Sequence, residues 1–249
     1  MLALQYFLKR IGVSIIVFFG VSIVIFCLAR LIPGDPARIA LGPFATTEMV
    51  EQLRETLHLN ESLFIQYKIF IVNLFHGDLG ISTYTKRPVL VDIIAYFPAT
   101  FELVLMSGTL MLLIGMPLGI LSGAYKDTIV DHIARIISLL GVVTPSFLWA
   151  IILMLLFSYL MPIFPVSERL NETLDPPKLI TGLLLIDSLI DGSLKIFGDA
   201  LYHLVLPGLA IAMPAIGNVS RLTRTNLSDI YSKQYIEFAK SYAFSDFKI

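Results

Sequence analysis

Four uninterrupted stretches without a charged side chain decide what this chain of 249 residues can fold into. Ile11–Ala29 offers 19 such residues, Leu103–Tyr125 offers 23, Ile136–Ser167 offers 32, and 17 follow His203. A helix needs about 20 apolar residues to cross a bilayer, and in hydrocarbon only a helix or a closed barrel satisfies its own backbone. Hydrophobic residues reach 56%, charged ones only 15%, and mean hydropathy is +0.81. The lipid bilayer is therefore the solvent, and an all-α, polytopic membrane helical bundle is predicted. The net charge of −1 gives no reason to expect nucleic acid. Cys27 is the one cysteine, so neither an intrachain disulfide nor a zinc cluster is expected, and Cys27 is read as packing within an apolar helix.

Each stretch carries further detail. The first is too long for a signal-peptide core and reads as a retained helix ended by Pro33 and Pro36. In the second, Gly115, Gly119 and Gly123 recur every four residues, a small stripe where another helix can approach closely. Pro145 predicts a kink in the third and Pro162 its exit, with Trp149 and Tyr159 as packing or interface anchors. Pro207 and Pro214 in the fourth fit a helix inside a bundle, or an ordinary kinked span. Four spans put both termini on one side. The bias of Lys and Arg assigns that side to the cytoplasm, with Lys9, Arg10, Lys126, Arg135, Arg221, Arg224, Lys233, Lys240 and Lys248 facing it.

Residues 1–32 thus form a first transmembrane helix, 33–97 an external loop and 98–249 a membrane core. Within the loop, Thr46 and Thr47 cap a helix with Met49, Leu53 and Leu57 on one face, and Leu63–Phe75 is too short to span. HGDLGIS is a turn. In Leu179–Leu201, Asp187, Asp191, Lys195 and Asp199 recur every four residues, which suits an interfacial amphipathic helix better than a re-entrant segment. The four histidines show no metal-ligand spacing, and the lack of a Gly-Lys dipeptide excludes a nucleotide-phosphate loop of that type. No catalytic residue, metal or cofactor is expected, and Asp35 and Asp78 are read as bonding local backbone. Glu102, at the mouth of the second stretch, either faces a water-filled path or snorkels at the interface.

RLIPGDPARIALG, LRETLHL, QY, GDLGIS and RPVLVDIIAYFPATFEL, followed by GVVTPSFLWAIILMLLF and FGDALYHLVLPGLAIAMPAIGNVSRLTRTNL, carry a resemblance. In order and spacing the chain resembles the inner-membrane permease subunits of ATP-binding-cassette importers for dipeptides, oligopeptides and nickel. That resemblance implies a type I importer fold, with about four of an expected six transmembrane helices present. It also implies ABC ATPase subunits, a second permease subunit and an extracytoplasmic substrate-binding protein as partners. Location would be the cytoplasmic membrane, with the N-terminus inside.

In that family a cytoplasmic loop docks on the ATPase, with a Gly four residues after the last Ala of its motif. YIEFAKSYAFSDFKI falls in its place. The resemblance makes Tyr235, Glu237, Phe238, Ala239, Lys240, Tyr242 and Ala243 the ATPase-coupling residues, with Ala243 standing where the family usually has Gly. By themselves the fifteen residues read as a solvated amphipathic tail. The family continues for two more spans, so the chain reads as truncated within this loop. ATP-driven rocking of the helices that hold Pro145, Pro207 and Pro214 would open a path, with Glu102, for a di- or oligopeptide. Peptides come before nickel, since no intramembrane His or Cys cluster is present. A secondary transporter and a non-transporting interaction protein are the alternatives from other classes.

Overall fold

A computed structural model describes residues 2–31, 34–82 and 84–242. Among these the chain is helical apart from one isolated bridge, Ile81 with Pro88. Contacts divide it into two compact units, Met1–Ala95 and Tyr96–Ile249.

The first unit begins with α1, Leu2–Leu31. It is apolar all round and almost wholly exposed, as a helix surrounded by lipid must be. Helix α4, Leu63–Phe75, starts at the N-cap Ser62 and is one of the shorter apolar helices, as its 13 residues predict. It packs on α1 through Ser22 and Tyr67, whose hydroxyls lie 2.8 Å apart, and through Phe26 against Tyr67 and Phe70. Helices α2 (Pro36–Leu41) and α3 (Thr47–Thr56) are capped by Asp35 and Thr46. Arg54 ties them together by its 3.1 Å pair to Asp35. Burial raises the Asp35 carboxyl, but the bonds from Arg54 and the Ala37 N–H outweigh it and hold the group below its ordinary value. The buried residue of α3 is Val50, whereas Met49 and Leu57 are exposed. The expected Met49–Leu53–Leu57 face is thus rotated, because the contact is with the short α2 and not with a broad apolar surface.

The second unit is built around α9, Leu194–Tyr231, the most buried of the long apolar helices. It contains both Pro207 and Pro214 and lies within a bundle, as two prolines in one span require. Helix α5, Val89–Ala124, is much longer than its uncharged run and reaches back into the segment read as external loop. Ser107 Oγ donates to Gly208 O at 3.0 Å. A Cβ on Gly115 would lie 3.1 Å from Ile216 O, on Gly119 2.6 Å from Ser220 O, and on Gly123 2.9 Å from Leu227 Cδ2. The glycine stripe is therefore an interface with α9. Partner numbers rise together, so α5 and α9 run parallel.

Two parallel neighbours require the chain between them to cross back. That return is α6 (Ile129–Val143) and α7 (Ser146–Met154), the latter widening into a π-helical turn at Leu155–Leu160. The two meet at a bend of 111° at Thr144 and Pro145. The predicted kink is thus a break, and the span starts seven residues before Ile136, taking in Asp131, His132 and Arg135. Asp131 pairs with Arg224, Ser138 with Ser220, Leu153 packs with Leu206 and Ala210, and Phe164 with Tyr202. Here partner numbers fall as the chain advances. Between its Asp131 and Leu153 contacts the bent pair follows α9 from Arg224 back to Leu206, 18 steps or about 27 Å at 1.5 Å each, so it is one broken span and not a re-entrant loop.

The predicted amphipathic helix across Leu179–Leu201 does not form. Helix α8, Leu184–Ile190, ends at Asp191, and Gly192 turns with φ +72° before α9 begins at Leu194. Asp187 is buried and accepts from the backbone N–H of Ile180, Thr181 and Gly182 and from the Thr181 hydroxyl. Desolvation pushes its carboxyl up, and these donors together pull it below the ordinary value. The charged period of four is broken because its first member is spent closing a loop.

Candidate functional site

Three features of the second unit bear on function. One is α10, Gln234–Ser241, separated from α9 by the short break at Ser232 and Lys233. Ile236 is buried, and α10 lies against α9. Tyr235, Phe238 and Tyr242, spaced by three and four residues, share a face and are more than 60% exposed. The Phe238 and Tyr242 rings lie 4.8 Å apart. The helix therefore carries an aromatic stripe that nothing in the described chain covers. The side chains of Glu237, Ala239 and Lys240 and the whole of Ala243 lie outside the described residues.

Beside this end of α9 stands a buried ion pair. Asp131, in the first turn of α6, has no solvent exposure. Arg224 reaches it twice, through Nε at 2.7 Å and Nη2 at 2.9 Å. Ser122 Oγ donates at 2.6 Å, the Asp127 N–H at 3.0 Å, and Arg135 lies 3.5 Å away. Asp127 itself holds φ +62° in the turn. One carboxylate thus fastens the end of α5, the turn, the start of α6 and the last turns of α9, about three turns before α10.

A second clasp closes the opposite end. Glu102 is 4% exposed, with Oε2 2.5 Å from Arg169 Nη2 and Oε1 accepting from the Leu185 N–H at 2.7 Å. It neither snorkels nor stands free in an open path, because both oxygens are engaged within the protein. Asp199 accepts from the Asn171 N–H at 2.8 Å and lies 3.3 Å from His203 Nδ1. From Glu102 to Ser122 α5 rises about 30 Å, the thickness of a bilayer's hydrocarbon. The two clasps therefore bracket the apolar slab.

Two adjoining cavities of about 290 and 220 Å³ open beside the Glu102 clasp and share Glu168, His203 and Pro207. Of the residues expected on a path, Glu102 and Pro207 come to this end, Pro214 lies further along α9, and Pro145 caps α7 at the bend. The four do not line one cavity. Among the described residues no group of three or more His, Cys, Asp or Glu is placed to hold a metal. Sequence reasoning missed the Asp131–Arg224 pair: the partners are 93 residues apart, and each alone looks like a charge at the edge of a span.

The helices long and apolar enough to cross a bilayer, with a parallel helix pair and a broken return span, define a polytopic all-α membrane protein. The chain belongs to the family described as binding-protein-dependent transport system inner membrane component, whose profile matches residues 115–249, with the N-terminal profile of the same component matching residues 3–104. It is thus a multi-pass membrane component of a transport system. Among curated relatives it is 40% identical over 227 residues to the probable D,D-dipeptide transport system permease protein of Escherichia coli (strain K12), covering 91% of this chain and 67% of that one. The dipeptide transport system permease protein of the same strain is 33% identical over 241 residues, covering 96% and 71%. A di/tripeptide transport system permease protein of Pseudomonas aeruginosa (strain UCBPP-PA14) is 33% identical over 248 residues, covering 99% and 73%.

Proposed function

We propose that this chain is the membrane-permease subunit of an ATP-driven importer that moves di- or oligopeptides across the cytoplasmic membrane. It works with ABC ATPase subunits, a second permease subunit and an extracytoplasmic peptide-binding protein, and carries no enzymatic activity of its own. The uncovered aromatic stripe of α10 carries this reading, since an amphipathic helix with anchors at Tyr235, Phe238 and Tyr242 is built to lie in a partner's groove. Glu237, Ala239, Lys240 and Ala243 complete the coupling segment. The peptide substrate follows the relatives, whose names specify dipeptide and di/tripeptide transport.

The end of the core that carries α10 faces the cytoplasm, as does the N-terminus, and residues 33–97 lie outside. Lys126, Arg135, Arg221, Arg224 and Lys233 then fall at the inner end, in keeping with the excess of basic residues in cytoplasmic connections. When the ATPases close on nucleotide, the pull on α10 passes into α9 and, through the Asp131 clasp, into α5 and α6. Pro145, Pro207 and Pro214 interrupt the backbone ladders of the moving helices and give the rocking its hinges. Glu102 and Pro207 lie at the outer mouth of the path.

The test is uptake of a labelled dipeptide into proteoliposomes holding the whole transporter. Uptake should require both ATP at the ATPase side and the loaded binding protein at the other. Uptake sustained by an ion gradient without ATP would overturn the proposal.

A further inference from the structure

The two outer cavities meet at one residue whose chemistry is unused. Of the charged and titratable groups that line them, Arg169 is committed to Glu102 at 2.5 Å, and His203, its side chain 7% exposed, bonds the Asp199 carbonyl at 2.8 Å. Glu168 is exposed and makes no hydrogen bond or ion pair with any described residue. Its backbone sits at φ +69°, a left-handed conformation that an ordinary L-residue adopts only where its surroundings impose it. Its neighbour Arg169 is anchored to the buried Glu102. Glu168, with no partner among the described residues, thus lines both of the largely apolar recesses.

One recess has Met154 and Leu206 in its walls, the other Leu103 and Leu204. Each is smaller than the range of about 300–1,000 Å³ usual for ligand pockets, and joined they fall within it. A free anion with apolar space on either side, and no uncommitted lysine or arginine among its lining residues, selects an organic ammonium over a carboxylate.

We infer that Glu168 receives the α-ammonium of the entering peptide, whose first two side chains occupy the two recesses before the path opens. This rests on the reading of the chain as a peptide importer's permease, and it makes Glu168 a specificity-determining residue of the mouth. Arg169 and Glu102 are positioning residues, which act by fixing the backbone that presents the carboxylate.

The experiment uses the detergent-purified transporter without its binding protein and follows the rise in melting temperature with added alanyl-phenylalanine or its N-acetyl derivative. The parent should be stabilised by the free-amine dipeptide and not by the acetylated one. Glu168→Gln, at an exposed position with no partner to lose, should leave the unliganded melting temperature unchanged and weaken the apparent affinity at least ~10-fold. Equal stabilisation of parent and Glu168→Gln, equal response to both peptides, or none by either would overturn the site. Dipeptide uptake by the parent in the complete system separates the two claims. If uptake persists while the Glu168 effect is absent, only the site falls; if the parent takes up no dipeptide, the peptide reading itself falls.

Discussion

Replacing Asp131 by Asn should release the inner end of the bundle. The amide keeps the shape of the carboxylate but presents N–H where the Asp127 N–H or Arg224 Nη2 already donates, at 3.0 and 2.9 Å. It also leaves the Arg224 guanidinium without its counter-charge. Breaking a buried pair by removing one partner costs roughly 3–5 kcal/mol. Arg224 retains 21% side-chain exposure, so water reaches the orphaned cation and the low end applies, about 3 kcal/mol. The assay is unfolding of the purified permease in mixed micelles, following fluorescence of Trp149, the one tryptophan, which packs beside Leu153, Leu206 and Ala210. A double-mutant cycle then isolates the pair. Asp131→Asn with Arg224→Leu should be far less damaging than the sum of the single changes, with a coupling of at least ~1.5 kcal/mol. Strict additivity, or single costs below ~0.5 kcal/mol, would refute the clasp.

Gly119→Leu should weaken the α5–α9 contact by on the order of 1–3 kcal/mol, since even its Cβ would meet Ser220 O and Thr223 Cβ at 2.6 Å. Gly20→Leu, with nothing within 4 Å, should be nearly silent, and the same unfolding assay compares them. For orientation, Asn73→Cys and Lys233→Cys, both at exposed positions, are introduced into a Cys27→Ala background. A membrane-impermeant thiol reagent on intact cells should label position 73 and spare 233, and the reverse pattern would invert the assignment.

Much of this architecture was legible in the sequence because bilayer thickness imposes it. The uncharged runs located the spans, Pro162 the exit of the third, and the Gly115–Gly119–Gly123 period the face that meets α9. Boundaries were less visible, since helices continue past the hydrocarbon. Residues 89–102 and 194–203 hold charges that a run without charge leaves out, yet both segments belong to spanning helices. The bend at Pro145 was foreseen as a kink, but its 111° is set by how α6 and α7 each lie on α9, which no local pattern encodes. Periodicity misled at Asp187, where a carboxylate on an apparent stripe is consumed by three backbone N–H groups of the preceding turn. Both clasps were invisible for a related reason: Glu102 lies 67 residues from Arg169, and Asp131 lies 93 from Arg224. The coupling role proposed for residues 235–243 rests on resemblance, because composition alone makes the same segment a solvated tail.

The coupling role of α10 requires its aromatic face to hold an ATPase. Phe238→Asp should place an unpaired carboxylate at the centre of that contact, a hot-spot loss of at least ~2 kcal/mol, or roughly 30-fold in affinity. The measurement is the amount of ATPase subunit recovered with tagged permease from detergent, normalised to folded permease, with Ser228→Asp in the last turn of α9 as the control. Loss of the ATPase in Phe238→Asp and its retention in Ser228→Asp is the predicted result. Equal recovery in the parent and Phe238→Asp would contradict the coupling role of α10 and leave its aromatic stripe without a partner.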